Sequence, residues 1–494
     1  MEKGKPKEVY TMMLSTSHIF FMFATMFLII GCGIISAKKI RSAEAFSLNG
    51  RKGSTTMVAG AIAGTCMGGG ATVGTSQLAA SIGLSAWWFT LGMGIGFIIM
   101  GIFFARPLRN SRLETISQIL ILSYGKESGP VASIITSFGL FFTCVASVLP
   151  ATYILAHLLN ISVYLASFIL LLLIAVYIFF GGMKGASVSG LLKTVILWAM
   201  MLLMCHIAYI KLDTLPNFDQ IFAESYWFDI YGQGFLQSLE NICSLIVGVF
   251  CSQTYVQIFF SASDARTARN GAIIAALISM PVGIPCIMAA MYMHAAHPEV
   301  PAIMSMPEFA IRYMHPNLAG ITIGALLVAL IGSVSGLCFG MSTMVSRDLV
   351  VPLARLKTSA QALWANRICF LILITGVIFF SLYNLDSQVL TWNFLSMSLR
   401  GSIFLPMVLA LLYPKLLPPV WAIPAMIISA FFALTAKSVF NMPIPPLFVS
   451  FIASTSIVVL GLSIGRKYNY QIMKGLVNFR HRIFCKKTEH SLHK

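Results

Sequence analysis

The chain has 494 residues, 58% of them hydrophobic and only 10% charged, with a mean hydropathy of +0.86. That composition excludes an ordinary soluble domain, and the apolar runs are long enough to cross a hydrocarbon core that requires about 20 residues per helix. The formal net charge of +17 does not point to nucleic acid, because a nucleic-acid surface needs basic and aromatic residues interleaved on a polar domain and the sequence has none.

Met1–Tyr10 is polar, and the first apolar run, His18–Ala37, is too long for the apolar stretch of a cleaved signal, so it is expected to stay as the first span. Thirteen spans are predicted, near 17–37, 55–80, 84–105, 129–157, 159–180, 187–210, 235–260, 271–294, 319–346, 366–385, 388–412, 419–438 and 444–464. No segment reads as an appended soluble domain, so residues 1–494 form a single membrane domain. Counting sides alternately from the first span puts most of the 33 Lys and Arg on one face, which marks that face as cytoplasmic. The N-terminus is then outside and the basic tail, 465–494, inside, as in a multi-pass protein of the plasma (inner) membrane.

Two longer polar stretches, 211–234 and 295–319, fall on the outer face. The second contains PAIMSMPEFAIRYM, read as a short helix over the outer mouth. On the inner face, SRLETISQILILSYG (111–125) has apolar residues at helical spacing and is expected to lie at the interface. The ten cysteines show no CxxC or Cys/His spacing and sit mostly in apolar runs, where cysteine behaves as a small hydrophobe. Neither a disulfide framework nor a metal site is expected.

The stretch GTCMGGGATVG (64–74) lies in an uncharged run and carries three consecutive glycines. Two readings are open. The glycines bring helices close together, or they interrupt the helix, which is tolerable at membrane depth only where protein or a watery cavity surrounds the freed backbone. In the second case the half-helix ends face a solute and its coupling cation.

Charged residues inside spans are costly and are functional candidates by default. Arg400, in NFLSMSLRGSIFLP, needs a partner: a solute carboxylate, or an internal acid such as Glu240 or Asp386, or helix-end carbonyls. Glu240 reads as a solute-amine partner, a proton carrier or a residue at the outer water boundary. His157, His206 and His294 lie near span ends and read as interface residues. Gln77, Gln253 and Tyr255 are polar groups close to the expected breaks, Gln253 being the favoured cavity residue.

Several stretches, in order, carry a resemblance: AEAFSLNGRKGSTTMVAG (43–60), GTSQLAASIGLSAWW (74–88), ARPLRNSRLETISQIL (105–120), FFGGMKG (179–185), QTYVQIFFSASDARTARNG (253–271) and GMSTMVSRDL (340–349). Together they resemble the sodium:solute symporter family, the relatives of the proline, pantothenate and sugar symporters. The resemblance implies an all-α integral membrane protein with the LeuT-type inverted-repeat fold. An extra first helix (17–37) would precede five-helix repeats at 55–210 and 235–412, two further helices would occupy 419–464, and GVFCSQT (248–254) would be the second repeat's break. The family's cation site maps onto the carbonyls of Gly64, Met67 and Ala329 and the hydroxyl positions Gly332 and Ser333, so one hydroxyl is missing. Where many members carry an Asp this chain has Gly190, with Lys193 one turn further on the same helix face. Lys193 either snorkels to the inner interface or takes the place of sodium, making transport sodium-independent or proton-linked through its own deprotonation.

The reading is a cation:solute symporter working by alternating access within the lipid bilayer. Its partners are a small polar solute, an organic acid or amino acid, and a coupling cation, Na+ or H+, with no other cofactor and no nucleic acid. The solute-binding set is Met67, Gly68, Gly69, Gly70, Thr72, Gln253 and Arg400; the cation set is Gly64, Met67, Ala329, Gly332, Ser333 and Lys193. A channel and a transporter-derived sensor are the alternatives. No HExxH, GxSxG, acidic metal cluster or phosphate loop occurs, so no enzyme is expected.

Overall fold

The computed structural model describes residues 14–36, 47–385, 387–414, 416–442 and 444–464. The basic tail, the loop 37–46 and Asp386 lie outside the described residues. The described chain is helical, with one isolated β-bridge between Gly53 and Ala262.

The helices follow the apolar runs, and each run pairs its own backbone, as hydrocarbon demands. In chain order they are α1 (Thr16–Ser36), α2 (Thr55–Cys66), α3 (Thr75–Ile82), α4 (Trp88–Ile99), α5 (Ile116–Tyr124), α6 (Ser128–Leu159), α7 (Val163–Asp213), α8 (Phe235–Phe250) and α9 (Gln253–Ser261). They continue with α10 (Ala265–Ser279), α11 (Gly283–Ala296), α12 (Ser305–Tyr313), α13 (Pro316–Met344), α14 (Ser359–Leu382), α15 (Val389–Gly401), α16 (Phe404–Leu412), α17 (Pro419–Ser438) and α18 (Pro446–Ile464). Side-chain caps set several starts: Ser54 accepts from Met57 N–H, Ser162 from Leu165 N–H, and Thr358 closes a capping box with Gln361.

Every predicted span is occupied by helix. Among the described residues, nine helices or helix runs are long and apolar enough to cross a membrane, and the bent pairs α8/α9 (48°) and α15/α16 (47°) raise the number to as many as 11. The shorter apolar helices Thr55–Cys66 and Val163–Tyr177 fill the remaining predicted spans. Phe20, Phe27, Phe168, Leu202, Ile372 and Ile452 all point outward, an apolar exterior that only lipid accommodates. The chain is a multi-pass integral membrane protein.

In the most apolar 18-residue stretch of Pro316–Leu353, 94% of the residues are buried, against 28% in that of α18. It is therefore the molecule's central post, with α1, α2, α6 and α7 packed around it. Helix α12 lies against α3, α11 and α13, as expected for a helix over the mouth. Helix α5 does not float at an interface; Ile119, Leu120 and Tyr124 are buried, and Tyr124 Oη donates to Pro406 O at 2.8 Å. At the turn between α3 and α4, Gly83 has φ +59, and a Cβ there would stand 2.2 Å from Trp227 O. Only glycine fits both demands.

Candidate functional site

The glycine triplet does break a helix. Helix α2 ends at Cys66 with Met67 as its cap, a tight turn in which Gly68 N–H reaches Cys66 O at 2.9 Å follows, and a π-helical stretch, Gly70–Gly74, leads into α3. Both sequence readings meet here, because the turn is also packed closely. A Cβ on Gly68 would stand 2.1 Å from Ser333 Cβ, and one on Gly69 2.7 Å from Ser147 Cα. The second break falls at Cys251 and Ser252, between α8 and α9, inside the predicted 248–254.

Between the two breaks lies a small cavity of about 30 Å³, room for one or two water-sized groups. Gly70 and Ala71 face it from the first break, Gly248 and Tyr255 from either side of the second. Helix α6 contributes Thr143 and Ser147, and α15 contributes Asn393, Met397 and Arg400. Phe89, Met93 and Leu337 make an apolar wall.

Arg400 is the cavity's charged group and is 1% exposed. Its Nη1 donates to Gly248 O at 3.2 Å, Nη2 to Thr143 Oγ1 at 3.2 Å and Nε to Ser396 O at 3.3 Å. Among the described residues no carboxylate lies within ion-pair distance of the guanidinium. Gly139 makes room for the arginine stem, since a Cβ there would meet Arg400 Cγ at 2.3 Å.

Beside the cavity is a second buried cation. Lys193 is 1% exposed, and its Nζ donates to Ala329 O at 3.1 Å. The ammonium lies against Gly332, whose added Cβ would stand 2.8 Å from Nζ and 3.4 Å from Tyr177 Oη. Ser333 Oγ donates to Thr65 O at 2.7 Å, tying α13 to the last turn of α2. Gly64 meets Gly190 where α2 crosses α7; a Cβ on Gly64 would be 2.6 Å from Gly190 Cα.

On the face opposite the basic loops two vestibules indent the molecule, of about 390 Å³ and 290 Å³. Phe394 lines the first and Phe89 lines the cavity, and the two rings meet edge-on at 6.3 Å.

A family model for the sodium:solute symporters matches residues 46–428. The chain belongs to the sodium:solute symporter family. Among curated relatives, the osmoregulated proline transporter OpuE of Bacillus subtilis (strain 168) is 24% identical, across 83% of this chain and 85% of its own length. The uncharacterized symporter YwcA of the same organism is 26% identical across 44% of each chain, so that match spans less than half of the relative. A solved Na+-coupled sialic acid symporter, in its substrate-bound outward-open state, superposes with a TM-score of 0.74 at 16% identity over 91% of this chain and 97% of that one. At that identity the superposition shows the fold, which is LeuT-like.

In this symporter-family chain the expected site residues divide. Gly70, Ser333 and Arg400 face the cavity. Met67 caps α2, and Gly68 and Gly69 are packing points rather than lining residues. Thr72 turns back into the break, its hydroxyl donating to Gly68 O at 2.9 Å. Gln253 does not face the cavity: its Oε1 accepts from Ile116 N–H and its Nε2 donates to Glu114 O, each at 2.9 Å. An amide offers one donor and one acceptor to a backbone turn as readily as to a solute. Lys193 does not snorkel. It turns inward and joins Ala329 and Gly332 at the mapped cation position, with Ser333 alongside and Gly64 at the neighbouring helix crossing.

Tyr255, which the sequence ranked below Gln253, faces the cavity, and Thr143, Ser147, Phe89 and Asn393 were not singled out at all. Asn393, Met397 and Arg400 stand at i, i+4 and i+7, so the face of α15 that carries the arginine was the signal available for Asn393. The histidines sit at helix ends: His157 Nε2 is 3.7 Å from Glu308 Oε1, and His294 packs on the Trp227 ring.

Proposed function

We propose that this chain is a secondary transporter that moves a short monocarboxylate anion across the membrane by alternating access, in the direction set by its coupling ion. The observation that carries this reading is Arg400, fully buried, facing a small cavity between two helix breaks and lacking a carboxylate of its own among the described residues. An arginine stays charged in such a setting and presents a planar fork of donors that matches a carboxylate. Two half-helix N-termini, at Gly70 and Gln253, add positive potential from the helix ends.

The cavity favours an acid over an amino acid. Its lining holds a guanidinium, hydroxyls, an amide and backbone, but no carboxylate to receive a solute ammonium. The apolar wall of Phe89, Met93 and Leu337 suits a short hydrocarbon tail.

Coupling follows from Lys193. Its ammonium occupies the space that the family's cation would fill, in contact with the Ala329 carbonyl and against Gly332. The ammonium's positive charge there stands in for sodium, and lysine, unlike arginine, can release its proton in a dry site. The carrier is thus sodium-independent and proton-linked. The basic face is the cytoplasmic one by the distribution of Lys and Arg.

Purified protein in proteoliposomes, loaded with sodium, lithium or proton gradients one at a time and offered labelled acetate, propionate, pyruvate, proline and glucose, tests the proposal. Saturable monocarboxylate uptake driven by a proton gradient alone supports it. Uptake that follows only a sodium gradient would refute the coupling, and uptake of proline or glucose in preference to the acids would refute the solute class.

A further inference from the structure

Most of the stretches that carry the family resemblance build no part of the cavity. Residues 47–60, 105–120, 340–349 and all of 253–271 except Tyr255 are absent from its lining. They meet instead on the basic face, where they bond one another across long sequence distances. Arg51 donates to Arg112 O at 2.9 Å, Arg109 to Ser263 O at 3.0 Å, Gln257 to Ser47 O at 2.8 Å, and Gly53 N–H to Ser261 O at 3.0 Å.

At the centre of this assembly is a half-buried carboxylate held by hydroxyls. Asp348 sits in a π-helical stretch that continues α13, Val345–Val350. Its Oδ1 accepts from Thr115 Oγ1 at 3.1 Å and its Oδ2 from Ser133 Oγ at 2.9 Å, while Ser133 and Ser117 share a further hydrogen bond at 2.8 Å. The adjacent Arg347 does not pair with it; Arg347 Nε lies 3.2 Å from Glu114 Oε2. Gln253, at the start of the half-helix that follows the second break, grips the same turn from the other side through Glu114 O and Ile116 N–H. The turn from Glu114 to Ser117 is therefore clamped by three elements: the end of α13, the start of α6 and the start of α9.

This clamp stands between the cavity and the basic face. On α6, Ser133 is ten residues from the cavity residue Thr143, and along α13 and its π-helical continuation Asp348 is eleven residues from the cavity residue Leu337. At 1.5 Å per residue both offsets are about 15 Å toward the basic loops. On the opposite face the corresponding barrier is the Phe89–Phe394 contact.

We propose that Asp348 is the catch of the basic-face gate, holding the Glu114–Ser117 turn across the route from the cavity and releasing it when the carrier opens to that side. A carboxylate bound by neutral hydroxyls suits a contact that must break and remake. Water replaces each lost hydrogen bond when the route floods, whereas the same carboxylate paired to a buried cation would leave an uncompensated charge behind. Asp348 thus acts through the turn it positions and has no contact with the solute. The inference rests on the alternating-access reading but not on the solute's identity.

Cys66 lines the cavity and supplies the probe. A membrane-impermeant maleimide is applied from either side of proteoliposomes carrying the full chain, and alkylation of Cys66 is followed by peptide mapping. Asp348→Ala should raise the labelling rate from the basic face roughly tenfold or more and lower it from the other face, the signature of a shifted two-state equilibrium. The Thr115→Val/Ser133→Ala double variant, which keeps the carboxylate and removes its donors, should do the same, and Asp348→Asn should fall between. A general loosening of the fold would instead raise labelling from both faces, and that result overturns the proposal, as does an unchanged rate in variants that elute as monodisperse protein. Labelling from neither face in wild type and variants alike would overturn alternating access, and the gate with it. A failure of every monocarboxylate in uptake assays, with the labelling shift present, would remove the solute class and leave the gate standing.

Discussion

Lys193 Nζ lies 3.1 Å from Ala329 O and directly against Gly332, so the ammonium, rather than a side-chain hydroxyl on residue 332, fills this corner of the symporter fold. With no side chain at Gly332 there is space that the lysine uses, and Gly64 and Gly190 pack closely where α2 crosses α7. An ammonium has three donors, and the Ala329 carbonyl is its hydrogen-bond acceptor among the described residues.

The first prediction concerns ion dependence. Wild-type uptake should be the same in sodium and in choline buffers. Lys193→Gln removes the charge but keeps an amide donor for Ala329 O, so the protein should fold while losing the response to a proton gradient. Uptake in parallel ion conditions reads this directly, and an unaltered proton response in Lys193→Gln would show that the lysine is only a structural plug.

A second prediction follows from the contact with Gly332. Gly332→Ser alone places a Cβ 2.8 Å from Nζ, and overpacking of this kind costs about 1–3 kcal/mol. Combined with Lys193→Ala the same serine gains room, so the double variant should be more stable than the sum of the single effects implies, a coupling of about 0.5–3 kcal/mol. Thermal melts of the four proteins measure it. The double variant should also be stimulated by sodium, because it regains a hydroxyl beside Ala329 O.

Third, the break should reject methyl groups where it is packed and nowhere else. Gly68→Ala and Gly69→Ala would place Cβ atoms 2.1 and 2.7 Å from neighbouring heavy atoms, and should each destabilise by about 1–3 kcal/mol or more. Gly31→Ala on α1 meets nothing within 4 Å and should be neutral or stabilising by up to about 1 kcal/mol, as expected for a helix-interior glycine. Fluorescence-detected melting distinguishes the three; equal melting of all of them would contradict the packing described.

Fourth, helix α12, on the face opposite the basic loops, has a titratable anchor. Burial alone would raise the Glu308 carboxyl, but hydrogen bonds from His157 and Arg312, and their charges, hold it below the ordinary glutamate value. Arg312 Nε is 3.1 Å from Glu308 Oε2. A carboxyl depressed by folding stabilises the folded form above its unfolded pKa and loses that contribution as the pH falls through the folded one. The stability difference between wild type and Glu308→Gln should therefore be constant near neutrality, about 1–3 kcal/mol, and shrink as the pH drops below 4.5. A difference that persists unchanged at pH 3 would contradict this assignment.

Much of the fold was legible because hydrocarbon leaves the backbone few options: an apolar run of sufficient length is a helix, and a glycine triplet within one is either a crossing or a break. Here Gly68–Gly70 is both, since a turn without side chains is also what lets Ser333 and Ser147 approach. The site was less legible. Whether Lys193 points toward the interface or the interior depends on which neighbours leave space, and that is decided by Gly332, 139 positions away along the chain. Gln253 looked like a cavity group because it adjoins a break, yet the break turns it toward the backbone of Glu114 and Ile116. The family's recognisable stretches were informative about membership while lying mostly on the basic face, away from the cavity that determines the solute.

The central claim is that Arg400 receives the carboxylate of a short organic acid, and competition uptake with Arg400 variants tests it most directly. Removing one member of a buried charge pair costs about 2–5 kcal/mol, or roughly 30-fold and upward in affinity. Uptake of labelled short monocarboxylates should be inhibited by other short acids and not by proline or glucose, should fall by at least that factor in Arg400→Gln, and should fall less in Arg400→Lys, which keeps the charge without the fork. Folded Arg400→Gln that transports monocarboxylates at the wild-type rate and affinity would contradict the account.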